Sequence, residues 1–79
     1  MPKAVPPATV QVRLAEEAAR FSGIYRGFHE YKPIWPVEDD PACNWSTSYS
    51  VRGSSISLSE MRAAMERVQV QFPTVRFSK

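Results

Sequence analysis

The sequence has few of the residues on which small proteins usually build chemistry. One histidine, His29, and one cysteine, Cys43, occur among 79 residues, and the three glycines are isolated from one another. A single cysteine excludes an internal disulfide framework and is typical of a reducing compartment. Separated glycines exclude a glycine-rich phosphate loop. No apolar run approaches the roughly 20 residues of a membrane-spanning helix, and no signal-peptide pattern opens the chain. We therefore expect a cytoplasmic protein with no membrane partner.

Charge of one sign is also scarce. Ten lysine and arginine residues stand against eight aspartate and glutamate residues, a formal net charge of +2. This balance neither requires nor excludes nucleic acid as a partner. A chain of 79 residues with 43% hydrophobic content fits one domain. Because a domain of this size buries only roughly 60% of its unfolded surface, it needs dense packing or a partner, and a homodimer is one such partner.

Residues for catalysis or metal binding form no recognised pattern. The predicted strands bring His29 and Cys43 near each other, so a catalytic pair of the two is a minor hypothesis. The acidic residues around them are Glu30, Glu38, Asp39 and Asp40. Their spacing matches neither structural zinc sites nor calcium loops. We expect a protein that is not an enzyme and that carries no metal or other cofactor.

The first predicted helix follows a proline-rich arm. Residues 1–8 form that arm, since residues before proline favour extended conformations. The helix covers residues 10–21, with Thr9 as its N-cap and Gly23 just beyond its end. The stretch TVQVRL also alternates, so a strand there followed by a shorter helix is the competing interpretation.

A second helix is predicted to begin near Leu58. Ser57 and Glu60 have the spacing of a capping box, and Ile56 with Met61 has that of a hydrophobic staple. The apolar residues then recur at steps of four, three and four residues, which is typical of one stripe of an amphipathic helix. The stripe consists of Met61, Met65, Val68 and Phe72, and Pro73 ends it.

Two strands precede this second helix. The aromatic-rich segment from Ile24 to Lys32 favours a strand that Pro33 closes. The stretch NWSTSYSVR, residues 44–52, alternates strictly and gives the clearest strand signal in the chain, with Gly53 at its end. The stretch TVRFS near the end of the sequence also alternates and can add a short last strand.

These elements predict an α+β fold, a single domain over residues 9–79. Its order is α-β-β-α with the optional final strand, and a two- or three-stranded antiparallel sheet carries both helices on one face. One row of the strand at residues 44–52 packs beneath the second helix, because each is the only continuous apolar face of its element. That row consists of Trp45, Thr47, Tyr49 and Val51, and it leaves Ser46, Ser48, Ser50 and Arg52 outward.

Protein binding is the first functional hypothesis. Aromatic and arginine side chains dominate interface energetics, and they crowd together between residues 25 and 35. The predicted binding residues are Tyr25, Arg26, His29, Tyr31 and Trp35, with charge complementarity from Glu38, Asp39 and Asp40. Alternation places Tyr25, His29, Tyr31 and Trp35 on one side, which is either an exposed patch or a face beneath the first helix. Such a module would occupy a surface of a larger protein or assembly, as small phage- or plasmid-encoded inhibitors and regulators do.

The alternative hypothesis is a nucleic-acid-binding domain that uses the outer face of the hairpin. Short polar side chains and arginine on a β-ribbon can contact base edges in a major groove. The residues for this role are Arg26, Lys32, Ser48, Ser50 and Arg52. The layout of residues 24–70 resembles the sheet-plus-helix DNA-binding domains of phage integrases and plant transcription factors, a resemblance of element order that carries over no site residue. The acidic loop VEDD, residues 37–40, weighs against this role, because its carboxylates repel phosphates.

Overall fold

The computed structural model of the chain describes residues 3–77. The elements, in chain order, are helix α1 (Pro7–Ile24), strands β1 (Phe28–Tyr31), β2 (Trp35–Pro36), β3 (Trp45–Ser46) and β4 (Tyr49–Arg52), and helix α2 (Leu58–Gln71). The predicted α+β class is confirmed, with strands between two helices. Residues 1 and 2 of the predicted arm and residues 78 and 79 of the predicted domain lie outside the described residues.

Helix α1 begins earlier than predicted. It starts at Pro7, because proline at the first helical position gives up no hydrogen bond and already has a helical φ. Thr9 therefore lies inside the first turn and is not the N-cap; the capping position is Pro6, which provides no side-chain hydrogen bond. The competing strand over TVQVRL is also wrong, since all six residues are helical.

The same helix ends later than predicted. Gly23 remains helical, and the last turn closes where the N–H of Tyr25 donates to the carbonyl oxygen of Phe21 over 2.7 Å. The strand predicted from Ile24 is correspondingly shorter and begins at Phe28. The preceding turns are rich in alanine, which favours helix, and the helix continues past Gly23. Gly23 itself has no close neighbour that would require a different backbone conformation.

Helix α2 has the predicted start but only half of the predicted capping box. The Ser57 hydroxyl accepts a hydrogen bond from the N–H of Ser59 over 3.1 Å. The Glu60 carboxylate does not return to the capping residue, because it accepts a hydrogen bond from the Tyr25 hydroxyl at 2.8 Å. This bond ties the beginning of α2 to the end of α1.

The strands form two separate antiparallel pairs. β1 pairs with β4, from Phe28 opposite Arg52 to Tyr31 opposite Tyr49, and β2 pairs with β3. The strand predicted over residues 44–52 is therefore interrupted. At the interruption the Thr47 hydroxyl donates to the main-chain oxygen of Lys32, where the chain passes from one pair to the other. A buried threonine satisfies its hydroxyl in this way instead of continuing an apolar row.

Two glycines lie opposite each other at the open end of the β1–β4 pair, Gly27 just before β1 and Gly53 just after β4. Gly27 has φ +99° and Gly53 has φ +64°, both in the region that favours glycine. A Cβ on Gly27 would lie 2.6 Å from the carbonyl oxygen of Gly53 and closer still to that of Arg52. The main chain of Gly27 packs directly against the main chain of Arg52 and Gly53, and this contact is possible only because residue 27 has no side chain.

The predicted last strand is a single parallel bridge between Val5 and Val75. The N–H of Val5 donates to the Thr74 oxygen over 3.1 Å, and the N–H of Arg76 donates to the Val5 oxygen over 2.8 Å. The side chain of Asn44 adds two bonds of 2.8 Å to the main chain of Val75. Residue 5 of the predicted arm is thus joined to the domain.

The core consists of two clusters of buried side chains. The first contains Val10, Leu14, Cys43, Trp45, Met65, Val68 and Val75, and the second contains Phe21, Ile56, Met61 and Ala64. Tyr31 and Tyr49 pack against both clusters, with their rings 5.9 Å apart in an edge-to-face arrangement. Three members of the predicted row, Trp45, Tyr49 and Val51, pack with residues of α2, and Ile56 lies with Met61 as the staple requires. The fourth member, Thr47, is buried but belongs to neither cluster.

A charged network joins the two helices. The side chain of Glu17, buried on α1, accepts hydrogen bonds from Arg67 of α2 over 3.1 Å and from Arg13 over 3.3 Å, with Arg20 at 3.8 Å. Burial raises the pKa of Glu17, but the Arg67 hydrogen bond and the charges of Arg20 and Arg13 outweigh it and hold the pKa below its ordinary value. Periodicity gave no sign of this carboxylate, which lies on the helix face that packs inward.

Candidate protein-binding surface

The outer face of the β1–β4 pair carries most of the residues predicted for nucleic acid. Residues paired across the strands share a face, so Phe28, Glu30, Ser50 and Arg52 point to the same side. The Arg52 guanidinium lies 4.9 Å from the centre of the Phe28 ring, a cation–π geometry. Lys32 is also exposed, but its ammonium group lies 2.9 Å from the Glu30 carboxylate. Half of the positive charge on this face is therefore neutralised within the face.

His29 points inward and is not an exposed residue. Its side chain is 6% exposed, with Nδ1 3.2 Å from the Ser22 hydroxyl and Nε2 2.9 Å from the Ser54 hydroxyl. The reason is the register, which places His29 opposite Val51 on the side that the helices cover. His29 thus joins the end of α1 to the segment that leads into α2.

Tyr31 occupies the same inner face. It stands opposite Tyr49, and its hydroxyl donates to the main-chain oxygen of Met61 over 2.6 Å. Burial, reinforced by the negative charge of Glu17, raises the pKa of Tyr31 above its ordinary value. The patch predicted from Tyr25, His29, Tyr31 and Trp35 is therefore divided: the two β1 members belong to the covered side, as the competing interpretation stated.

The other predicted binding residues lie nearer to solvent. Trp35 on β2 is 43% exposed, and Arg26 is exposed in the turn before β1. Tyr25 is half-buried, and its hydrogen bond to Glu60 raises its pKa. The acidic residues lie in the exposed loop between β2 and β3, and they are Glu38, Asp39 and Asp40.

The structure does not bring His29 and Cys43 together. The Cys43 thiol lies in the cluster around Trp45 and donates to the Trp45 carbonyl oxygen over 3.4 Å, whereas His29 contacts Ser22 and Ser54. Burial raises the pKa of Cys43, which leaves less of the reactive thiolate. The hypothesis of a catalytic pair is therefore wrong. Within residues 3–77, no group of histidine, cysteine and acidic side chains has an arrangement that could hold a metal ion.

A groove between α1 and β1 is the feature that the sequence did not reveal. It has a volume of about 370 Å³ and is lined by Ala15, Ala18, Ala19 and Ser22 of α1 and by residues 27–31. Consecutive strand residues from both faces line it, so the groove runs along an edge of β1. The available signal was Ala15 and Ala19, which belong neither to the buried stripe of α1 nor to a charged outer face.

The groove borders main-chain N–H and C=O groups of β1 that do not form hydrogen bonds with β4. The N–H of Lys32 donates to the Ser48 oxygen over 2.8 Å, which makes these two residues a hydrogen-bonded pair. Because such pairs alternate along an antiparallel ladder, the N–H and C=O groups of His29 and Tyr31 point away from β4. In the part of the chain that the structure describes, β1 pairs with no strand on that side.

Among residues 3–77, neither helix is both long and apolar enough to cross a membrane. Comparison with protein-family models, with curated proteins and with solved structures found no match to this chain. The function is therefore inferred from the surface itself.

Proposed function

We propose that the protein is a non-enzymatic binding module that acts by occupying a surface of a larger protein or assembly. The observation that carries this proposal is the distribution of large exposed apolar side chains. Four of them, Val12, Ile24, Phe28 and Trp35, belong to α1, β1 and β2, and they are between 42% and 67% exposed. These elements adjoin one another, since α1 packs on β1 and the Gln11 side chain accepts a hydrogen bond from the N–H of Ile34, next to β2.

The chemistry of these exposed side chains suits a protein partner. Phe28 and Trp35 present aromatic area, and Arg52 stacked on Phe28 adds a cation held in place. Aromatic and arginine residues are the types that most often anchor protein interfaces, whereas polar residues form the rim. The acidic loop with Glu38, Asp39 and Asp40 supplies charge at one side of β2. Inhibition or regulation would follow from covering the partner's surface, with no chemical step.

Paired double variants test this function. We expect Phe28→Ala with Trp35→Ala to abolish capture of a protein partner from nuclease-treated lysate, because both side chains are exposed enough to be removed without emptying the core. The matched control replaces Leu58 and Val70 of α2, which are 57% and 83% exposed. Both proteins should keep the far-ultraviolet circular dichroism of the parent. Equal capture by the two variants would contradict the proposal.

Tyr31 is unsuited to this experiment. Its hydroxyl bond to Met61 and its contacts with both clusters mean that Tyr31→Ala perturbs the fold together with any interface.

Nucleic-acid binding through the outer face of β1–β4 is the second candidate. Its support is that Lys32, Ser50 and Arg52 share one face with exposed Ser48 beside them. The Glu30 carboxylate lies in the middle of that face and opposes phosphate. This candidate requires affinity for DNA or RNA that falls steeply with salt and is reduced by Arg52→Ala. Capture that survives nuclease and is insensitive to Arg52→Ala would exclude it.

A further inference from the structure

The spacings of packed helices and paired strands predict that helix α1 overhangs the free edge of β1. Two packed helices have axes about 8–10 Å apart, whereas two strands are only about 4.8 Å apart, so two helices on a two-stranded sheet extend beyond its edges. α1 lies on the β1 side, where it packs closely because its contacting residues are small. The overhang and the edge of β1 together form the groove of about 370 Å³.

The groove has the hydrogen-bonding pattern of a missing strand. The N–H and C=O groups of His29 and Tyr31 face it at the two-residue spacing with which strands pair. A helix has no main-chain groups free for such pairing, so the complementary ligand is an extended chain. The groove wall from Ala15 to Ser22 spans about 10 Å at 1.5 Å per residue, which corresponds to about four residues of strand.

The walls define the side chains that such a ligand carries. On the helix side Ala15 and Ala19 leave room for small or β-branched apolar residues. On the opposite side Glu30 lines the groove with a carboxylate. A residue placed opposite Glu30 in an added strand lies within about 5 Å of it, Cβ to Cβ. The ion pair of Glu30 with Lys32 is exposed and contributes little, so a basic ligand residue can take the place of Lys32 as the partner of this carboxylate. The ligand therefore alternates apolar and basic residues.

A second copy of this chain does not fit the same edge. Pairing β1 with its copy would place the two edge strands about 4.8 Å apart, and each would bring its own overhanging α1. The two helices would then lie closer than the about 8–10 Å that helix packing allows. A single extended segment brings no such helix.

We propose that the groove between α1 and β1 binds an extended basic-apolar peptide segment of a partner protein as an additional strand, antiparallel to β1. The segment exchanges hydrogen bonds with His29 and Tyr31, directs its apolar side chains at Ala15 and Ala19, and places a basic side chain opposite Glu30. This inference rests on the proposed protein-binding function and specifies the partner's chemistry.

The probe is the blocked pentapeptide Thr-Val-Lys-Val-Thr, titrated to millimolar concentration into ¹⁵N-labelled protein. We expect the amide resonances of His29 and Tyr31 to move downfield and their hydrogen exchange to slow, with other shifts confined to the groove residues of α1. A peptide methylated on both valine nitrogens should bind at least tenfold more weakly, because those nitrogens donate to β1. Replacing the peptide lysine by glutamate should also weaken binding several-fold.

Matched leucine variants test the location. Ala15→Leu with Ala19→Leu fills the groove at exposed helical positions, and we expect peptide binding to weaken at least tenfold. Ala63→Leu, at an exposed position of α2, should change it less than twofold.

Three results would overturn the inference. They are the absence of shifts at His29 and Tyr31, equal binding of the methylated peptide, and concentration-dependent shifts of these amides without peptide, which would reveal self-association. If the peptide fails while lysate capture still depends on Phe28 and Trp35, the proposed function stands and the groove is not its site.

Discussion

The two ends of the molecule are held together by different means. Around β2 and β3 the core is apolar and centred on Trp45, which is 1% exposed and fills the space between the helices and the Val5–Val75 bridge. At the open end of the β1–β4 pair, where Gly27 and Gly53 meet, the buried cluster is smaller, and contacts of main chain at Gly27 and hydrogen bonds of His29 supplement it. The first end is stabilised by apolar side chains that fill the core, and the second by close contact between main-chain segments. Different substitutions should therefore destabilise the two ends.

Removal of Trp45 should have the largest effect. Trp45→Ala leaves a cavity in the first cluster and takes away the indole N–H that donates to the Phe72 oxygen over 2.7 Å. We expect a loss of about 4 kcal/mol in the free energy of unfolding, which is a large part of the roughly 4–12 kcal/mol that a domain of this size has in total. Urea denaturation followed by circular dichroism measures it.

The other tryptophan provides the control. Trp35→Ala removes a side chain that is 43% exposed, so its effect on unfolding should be far smaller. Equal destabilisation by the two substitutions would contradict the conclusion that Trp45 is the central residue of the first buried cluster.

Gly27→Ala should have the next largest effect, at the opposite end. The methyl group would overlap the carbonyl oxygens of Arg52 and Gly53 and would hold a positive φ, so we expect a loss of about 3 kcal/mol. Gly23→Ala should instead stabilise by about 0.5–1 kcal/mol, since this glycine is helical and an added methyl group would have no neighbour within 4 Å. Thermal unfolding of both variants checks the opposite signs. Tolerance of alanine at residue 27 would show that the close approach of the two main-chain segments does not constrain this end.

A smaller loss than that of Gly27→Ala is expected from the charged network that joins the two helices. Glu17→Gln removes the carboxylate to which Arg13 and Arg67 donate, and we expect a loss of about 2 kcal/mol at pH 7. The folded-state pKa of Glu17 is lowered, so its contribution is complete above the ordinary pKa of 4.5 and is lost as the pH falls through the folded value.

Stability curves of both proteins against pH test the sign. The parent and the Gln variant should differ most near neutral pH and converge in acid below pH 4.5. A difference in unfolding free energy that grows as the pH falls would contradict a lowered pKa of Glu17 in the folded state.

Sequence patterns were sufficient for α2 and insufficient for the strands. The stripe through Met61, Met65 and Val68 depends on helical periodicity, a local property, and its start at Ser57 was visible in the same way. The break at Thr47 depends on a hydrogen bond to Lys32, which lies 15 residues earlier in the chain. Alternation cannot show that a strand changes its partner midway.

The candidate site was harder to predict for a related reason. Alternation correctly grouped His29 and Tyr31 on one side, but whether that side faces water depends on where α1 packs. The groove depends on the same packing, together with the difference in width between two helices and two strands. Neither quantity is encoded in a local run of residues.

The parallel bridge between Val5 and Val75 has a mechanical consequence. Because the two segments run in the same direction, a force that pulls on them from opposite ends of the chain acts along the bridge and loads its hydrogen bonds together in shear. An antiparallel pair pulled in this way would open one bond after another. Asn44 makes two further hydrogen bonds to Val75 and adds to this resistance. The end of the molecule around Trp45 would therefore resist mechanical unfolding when the chain is pulled from its two ends.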